Sequence, residues 1–190
     1  MQIVECRGDF TTSLRKSLSE IDKDWESYNG VIVAGSHEME KSEEKIELIR
    51  KARENKVPAL LICAGMQLGI VEYARNVLGL KDANSIELNP DTPHPVVIKM
   101  PKLRVGIYPV KWHEFGSKLY SHWHHWKFNE KYREQFEKDW MMSFTGDVLE
   151  IMKLKAHPFM YGLAYHPEYD SSRKNPDFIL KKFLNTCKKK

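Results

Sequence analysis

The feature that most constrains the fold is a set of short, wholly apolar segments separated by helical patterns. Residues 30–35 (Gly-Val-Ile-Val-Ala-Gly) and 58–62 (Pro-Ala-Leu-Leu-Ile) are typical of strands buried on both faces. Residues 42–55 and about 66–78 have apolar positions at helical spacing, and Gly79 follows the second pattern where a C-terminal cap belongs. Strands that alternate with helices predict an α/β fold, with a central, mostly parallel sheet and helices on both faces.

A weaker strand at Ile3–Val4 and a helix at 13–21, capped by Thr11 or Thr12, precede this pattern. The second half of the chain differs, because its apolar segments are short and joined by turns that contain proline or glycine. They predict an additional small antiparallel set of strands. The predicted elements of this half are strands at 96–99, 103–110, 141–144, 148–154 and 160–165, and helices at 129–138 and 176–187.

The composition excludes several classes of protein. A chain of 190 residues that is 42% hydrophobic and 29% charged is expected to form a single domain over residues 1–190, and it is too apolar for disorder. The net charge of +4 comes partly from a lysine-rich C-terminus, without the interleaved aromatics of a nucleic-acid surface. No apolar run approaches about 18 residues. We therefore expect neither nucleic acid nor a membrane as a partner.

The three cysteines, Cys6, Cys63 and Cys187, have no paired spacing. This count argues against a disulfide framework and against a zinc site, and it fits the reducing environment of the cytoplasm. Cys63 has a distinctive context, since it lies between a buried strand and a helix. Cys6 and Cys187 lack that context and are expected to be structural.

Cys63 is a candidate nucleophile because a sharp strand-to-helix turn exposes the side chain at its apex. Such a turn needs small neighbours, and Ala64 and Gly65 follow directly. The helix N-terminus would favour the thiolate, and the Ala64 N–H would face a developing oxyanion. The alternative is a buried structural cysteine, which is the commonest fate of a lone cysteine.

A thiolate nucleophile needs a base, and the base needs an orienting group. His166 and Glu168 lie two residues apart in His-Pro-Glu, directly after an apolar strand. Their spacing lets both side chains point the same way, so that Glu168 could hold the tautomer of the imidazole. Taken alone this motif is a weak signal, and together with the cysteine turn it becomes a strong one.

These motifs resemble those of the triad (class I) glutamine amidotransferases, most closely the amidotransferase domain of CTP synthase. Residues 62–67 (Ile-Cys-Ala-Gly-Met-Gln) carry the Cys-x-Gly-Met-Gln core of that family, and residues 73–85 resemble the continuation found in CTP synthases. Residues 150–169 resemble the last strands of the family and its His-Pro-Glu-aromatic motif. Further similarity lies at 103–106 and 122–129. The resemblance implies a flavodoxin-like glutamine amidotransferase fold.

The resemblance also implies hydrolysis of glutamine to glutamate and ammonia, in pyrimidine biosynthesis and without a cofactor. By position, Cys63 corresponds to the nucleophile, His166 to the base and Glu168 to the orienting acid. The residues that correspond to the glutamine pocket are Ala64, Gly65, Met66, Gln67 and Glu87. A carboxylate at Glu87 would pair with the ammonium group of glutamine.

Two positions of this chain depart from the family pattern. The oxyanion turn has adjacent glycines in the family, whereas Gly35 is followed here by Ser36. A Cβ at that place would restrict the backbone flip that presents an N–H to the oxyanion. His125 occupies the position of the arginine that grips the glutamine carboxylate, and a neutral imidazole lacks the fork of a guanidinium. Weaker binding of glutamine, or a different substrate, is expected.

No G-x-x-x-x-G-K-[ST] sequence is present, so this chain is not expected to make CTP by itself. It would act as a subunit beside a synthetase partner, as a free-standing hydrolase of glutamine or of another γ-glutamyl or small amide, or as a non-catalytic regulatory relative. Histidines near residues 113–125 together with Glu114 also suggest a metal site. We favour the simpler interpretation of a family strand in which arginines are replaced, and we expect no metal.

Overall fold

The computed structural model describes residues 1–4, 9–36, 39 and 41–188. Nine strands and five α-helices are present in these ranges, with short 3-10 helices at Trp25–Ser27 and Glu130–Tyr132. In chain order they are β1 (Gln2–Val4), α1 (Asp9–Ile21), β2 (Val31–Val33), α2 (Ser42–Glu54), β3 (Ala59–Ile62), α3 (Ala64–Asn76), β4 (Ala83–Ser85), β5 (His94–Trp112), β6 (Gly116–Phe128), α4 (Arg133–Glu137), β7 (Trp140–Thr145), β8 (Val148–Leu154), β9 (Met160–Leu163) and α5 (Phe178–Cys187).

The central sheet has six strands in the order β1-β2-β3-β9-β8-β7. β1, β2, β3 and β9 are parallel, and β8 and β7 continue the sheet in antiparallel orientation. The apolar strands lie at its centre because they are buried on both faces: every residue of β2, β3 and β9 is buried. The carboxyl ends of β3 and β9 are neighbours, so the residues that follow these two strands meet at one edge.

Helices cover both faces of this sheet, as the strand-helix alternation predicts. Side chains of α2 and α3 pack on one face, where Ile49 and Val71 are buried with Val33 and Leu61. Side chains of α1 and α5 pack on the other face in a second core cluster, whose buried members include Leu14 from α1, Phe183 and Leu184 from α5, and Ile32 and Leu60 from the sheet. Successive side chains of each strand thus point alternately into the two core clusters.

A second sheet has the order β4-β5-β6, and its two long strands pair antiparallel. We call this hairpin, residues 94–128, the arm. The sequence predicted only short strands at 96–99 and 103–110, but β5 is one strand of 19 residues with an irregular register between Lys99 and Arg104. The prediction was wrong because a glycine or proline breaks a local pattern without ending the pairing with a neighbouring strand. β4 and most of β6 were not predicted.

Other boundaries shift by a few residues. α3 begins at Ala64 instead of Met66, so the helix starts directly after Cys63. α1 begins at Asp9, which places Thr11 and Thr12 inside the helix, where neither is its N-cap. Packing explains the longer helix, because Phe10 in its first turn is buried against the ring of His166. α5 begins after Asp177, whose side chain accepts hydrogen bonds from the N–H groups of Ile179 and Leu180. No helix in the described ranges is long and apolar enough to cross a membrane.

Candidate active site

Cys63 lies at the apex of the turn between β3 and α3. Its backbone has φ 50° and ψ −106°, a conformation that residues with a Cβ rarely adopt. The turn is held because the Cys63 N–H donates to the Leu163 carbonyl oxygen at 2.7 Å and the Gln67 N–H donates to the Cys63 carbonyl at 3.2 Å. A strained, buried residue that the surrounding backbone holds in place is typical of a functional turn.

Two glycines allow this turn to form. A Cβ on Gly65 would lie 2.1 Å from the Val33 carbonyl oxygen, so α3 can approach β2 only because residue 65 is glycine. A Cβ on Gly35 would lie 2.6 Å from Cε1 of His166 and 3.5 Å from the Cβ of Cys63. Gly35 therefore lies between these two side chains, and its lack of a side chain lets the His166 ring approach the end of β2.

His166 and Glu168 follow β9 and lie beside this turn. The Nδ1 of His166 donates to Oε1 of Glu168 at 2.8 Å, and both side chains are 1% exposed. The hydroxyl of Ser17 donates to the Glu168 carbonyl oxygen at 2.8 Å, and the ring of Phe10 stacks on the imidazole with a centroid distance of 4.6 Å. Residues of helix α1 thus contact both His166 and Glu168 and hold them in position. With Nδ1 held by the carboxylate, Nε2 is the nitrogen left for chemistry.

The Sγ of Cys63 lies 3.6 Å from the Trp123 carbonyl oxygen, and the Nε2 of His166 is buried without a geometric hydrogen-bond partner among the described residues. Burial lowers the pKa of His166, but the electrostatic interactions with Cys63 and with the Glu168 carboxylate outweigh burial and raise that pKa to about 10. The imidazole beside Cys63 is therefore held in its protonated form at neutral pH. The three predicted triad side chains are brought together in this structure.

A pocket of about 130 Å³ opens beside the Sγ of Cys63. Its lining residues are Ser36, Cys63, Ala64, Gln67, Glu87, Leu103, Trp123, His124, His125 and Trp126. The pocket thus contains five of the predicted oxyanion and binding residues, and the other three lie close by. Gly35 lies against the His166 ring, and Gly65 packs on the Val33 carbonyl. Met66 lines a smaller cavity of about 20 Å³ that Cys63 also lines.

Glu87 is the acidic side chain among the lining residues. Burial raises the pKa of this carboxyl group, and a hydrogen bond from the Trp126 side chain opposes the rise. No lysine or arginine lines the pocket in the described part of the chain. The described residues of the pocket therefore present one carboxylate, imidazole and indole rings, and no permanently cationic group.

The histidines of the arm are held by hydrogen bonds. The Nδ1 of His122 donates to the Tyr120 carbonyl oxygen at 2.9 Å, and its Nε2 donates to Oε2 of Glu150 at 2.8 Å. The Nδ1 of His124 donates to the Trp126 carbonyl oxygen at 2.9 Å, which leaves Nε2 as a buried acceptor with no partner in the described part of the chain. Burial lowers the pKa of His124 to about 4, so that its ring is neutral.

Sequence reasoning missed several residues of this site. Leu103, Trp123 and Trp126 form its arm side, and none of them was predicted as a site residue. Phe10 and Ser17 position His166 and Glu168 from a helix far away in the chain. Strand alternation could not identify the two tryptophans, because four consecutive residues of β6, 123–126, line the pocket. Nothing in the local sequence pointed to Phe10.

Cys187, which was expected to be structural, is buried, and Cys6 lies outside the described residues.

The fold and site together define a class of α/β proteins, in which a strained cysteine follows one central strand and a histidine–carboxylate pair follows the next. A family model described as "Glutamine amidotransferase class-I" matches residues 4–186. The chain therefore belongs to the class I glutamine amidotransferases.

Among curated proteins, the chain is 40% identical over 185 residues to the CTP synthase of Halalkalibacterium halodurans, covering 85% of this chain and 35% of that protein. It is 40% identical over 182 residues to the CTP synthase of Shouchella clausii, covering 84% of this chain and 34% of that protein. The chain thus spans about a third of the length of these relatives. It is a glutamine amidotransferase domain related to CTP synthase.

Solved structures show the same fold. The glutaminase domain of a Trypanosoma brucei CTP synthase with bound acivicin superposes with a TM-score of 0.86 at 20% identity, covering 99% of this chain and 92% of that domain. A putative GMP synthase subunit from Thermoplasma acidophilum superposes with a TM-score of 0.64 at 15% identity, covering 97% of this chain and 92% of the other. The predicted class I amidotransferase fold is confirmed.

Proposed function

We propose that this domain hydrolyses the side-chain amide of glutamine to glutamate and ammonia, with Cys63 as nucleophile, His166 as acid and base, and Glu168 as the group that orients His166. The observation that carries the proposal is the meeting of a strained cysteine with a buried histidine–carboxylate pair at one edge of the sheet. The family to which the chain belongs supports the reaction class.

In the first step the Cys63 thiolate attacks the amide carbon and the carbonyl oxygen becomes an oxyanion. The proton that left the Cys63 thiol resides on Nε2 of His166, so that thiolate and imidazolium form a pair before the attack. His166 carries a proton at neutral pH and gives it from Nε2 to the amide nitrogen. The C–N bond then breaks, ammonia leaves, and a γ-glutamyl thioester remains on Cys63.

The oxyanion needs N–H donors. The Ala64 N–H is at the first position of α3, where no intrahelical acceptor exists, so it is suited to one of these bonds. The second donor is assigned to the turn at Gly35 and Ser36, which follows β2 and borders the pocket. In model enzymes, loss of one such donor raises the barrier by roughly 2.7–4 kcal/mol.

In the second step a water molecule attacks the thioester carbon, and Nε2 of His166 now accepts the proton of that water. The tetrahedral intermediate collapses, the C–S bond breaks, and glutamate and the Cys63 thiolate are released. Glu168 accepts the hydrogen bond of Nδ1 throughout and stabilises each imidazolium form. The released ammonia is available to a synthetase activity, either on a separate partner chain or on another domain.

The test is to incubate the protein with a diazoketone analogue of glutamine and to locate the adduct by mass spectrometry of peptides. We expect one adduct, at Cys63, formed more slowly when glutamine is present, and we expect ammonia release from glutamine by the untreated protein. Cys187 is the internal control, since it is buried and burial raises the pKa of its thiol to about 12. Equal labelling of both cysteines in the native protein would contradict an activated Cys63.

A second candidate function is hydrolysis of another γ-glutamyl or small amide by the same residues. The observation that favours it is the pocket lining, in which none of the described residues supplies a permanent cation for the carboxylate of free glutamine. A non-catalytic regulatory role is the third alternative. Ammonia release from any amide together with the Cys63 adduct would exclude it.

A further inference from the structure

The pocket beside Cys63 has an uneven charge pattern that bears on its substrate. Free glutamine carries an ammonium group and a carboxylate on its α-carbon, and a site that encloses it must compensate both charges. Here the lining supplies Glu87 for the ammonium group. The lining residues contributed by the arm include His125 and Trp123, neither of which presents a permanent cation.

Cations of the arm lie on the neighbouring sequence, but none of them, Lys102 included, lines the pocket in the described ranges. Arg104 donates to Oε1 of Glu150 at 2.6 Å, and Lys127 is paired with Asp147. The Nζ of Lys99 lies 5.9 Å from the ring centroid of Trp126, and Lys99 does not line the pocket. A carboxylate placed near Glu87 would therefore add a second negative charge without a fixed counter-charge.

The rim of the pocket on the arm side is apolar and accessible. Leu103 and Trp123 line the pocket while they are 51% and 52% exposed. On the same strand as Leu103, Val105 pairs with Trp123, and Val105 and Ile107 add apolar side chains that are 45% and 65% exposed. A neutral substituent that leaves the pocket across this rim would bury apolar surface, whereas an ionised carboxylate would lose hydration there.

We infer that the domain prefers a glutamine-type amide with a free α-ammonium group and an α-carboxyl group masked as a neutral amide, as in a glutamine at the N-terminus of a peptide, over free glutamine. This inference rests on the proposed function, since the scissile bond is still the side-chain amide at Cys63. Glu87 holds the ammonium group. The masked carboxyl group lies beside His125, and its substituent lies on Leu103 and Trp123.

The experiment compares three compounds that carry different charges on the α-carbon: L-glutamine with both, its α-N-methylamide with only the ammonium group, and N-acetyl-L-glutamine with only the carboxylate. Ammonia release gives kcat/KM for each compound, and mass spectrometry identifies the hydrolysed amide. We expect the methylamide to exceed glutamine by roughly 10-fold or more, and N-acetylglutamine to be the poorest because it leaves Glu87 without an ammonium partner. Glutamine that equals or exceeds the methylamide would overturn the inference and leave the proposed function standing.

His125→Arg supplies the missing cation and should shift the ratio of the two kcat/KM values towards glutamine by roughly 10-fold, mainly by lowering the KM for glutamine. His125→Gln is the matched control, because it changes the side chain without adding charge and should preserve the order of the three compounds. An unchanged ratio in a folded His125→Arg protein would also overturn the inference. Absence of both ammonia and a Cys63 adduct with every compound would instead overturn the proposed function.

Discussion

The two sides of the candidate pocket are built from different parts of the molecule. The sheet side consists of residues that follow central strands, and its Cys63, His166 and Glu168 are 8%, 1% and 4% exposed. The arm side is a long hairpin whose Leu103 and Trp123 are about half exposed. Residues on the sheet side are constrained by packing as well as by chemistry, because each also touches a core element. Residues on the arm side can vary with little effect on the fold, and His125 is such a position.

The largest expected effect comes from the centre of the sheet side. Cys63→Ala should lower kcat by roughly 10⁴-fold or more, because it removes the nucleophile of the proposed reaction. Ammonia release from glutamine measures the loss, and Cys187→Ala is the control that should keep kcat. A Cys63→Ala protein that retains more than a hundredth of the activity would show that the reaction does not pass through this thiol.

Two substitutions of Cys63 that both remove the thiol should differ in the stability of the folded protein. Cys63→Gly also removes the thiol, but glycine adopts φ 50° without a clash of a Cβ. We expect Cys63→Gly to unfold with a free energy about 1–2 kcal/mol higher than Cys63→Ala, measured by urea denaturation. Equal stabilities would mean that the turn stores no strain.

Glu168→Gln should lower kcat by roughly 10²- to 10⁴-fold, because an amide no longer stabilises the imidazolium of His166. The carboxylate is one cause of the raised His166 pKa, so its removal lowers that pKa. The alkaline limb of the pH profile of kcat/KM should therefore move to lower pH. Glu130→Gln, at an exposed carboxylate, is the control. An alkaline limb at the same pH in both variants would contradict the role of Glu168.

His124 is a buried histidine of the arm, and its burial should make the stability of the protein depend on pH. Burial holds the folded-state pKa of His124 at about 4, whereas an unfolded histidine titrates near about 6.5. Between these values the unfolded chain binds a proton that the folded chain does not, so stability falls as the pH falls from about 6.5 to 4. His124→Gln should flatten that slope, measured from urea unfolding at several pH values. His113→Gln, at a half-exposed histidine, should leave it unchanged.

The smallest expected effect is at the oxyanion turn. Ser36→Gly restores adjacent glycines after β2 and should raise kcat by roughly 2- to 10-fold with little change in KM, because the backbone can present its N–H more easily. Initial rates with saturating glutamine measure this effect. Ser117→Gly, on the exposed part of β6, is the control. A lower kcat for Ser36→Gly would mean that the serine side chain itself supports the turn.

The local patterns identified the central sheet well, since β8 was predicted at its observed bounds and α2 within one residue. They failed on the arm, where β5 was divided in two and β4 was absent. A buried parallel strand is a continuous apolar run and can be recognised from its own residues. The strands of the arm alternate exposed and buried positions irregularly, and their extent depends on pairing with each other.

The residue pattern alone was enough to propose the reacting groups. Small residues after Cys63 and the two-residue spacing of His166 and Glu168 are local consequences of the turn geometry and of strand alternation. Only the tertiary structure decided which side chains surround them. Phe10 reaches His166 from α1, and Trp123 and Leu103 reach Cys63 from the arm, across separations that no local pattern encodes. The charge balance of the pocket, and with it the choice of substrate, is set by these long-range contacts, because electrostatic compensation depends on distance in space and not on position in the chain.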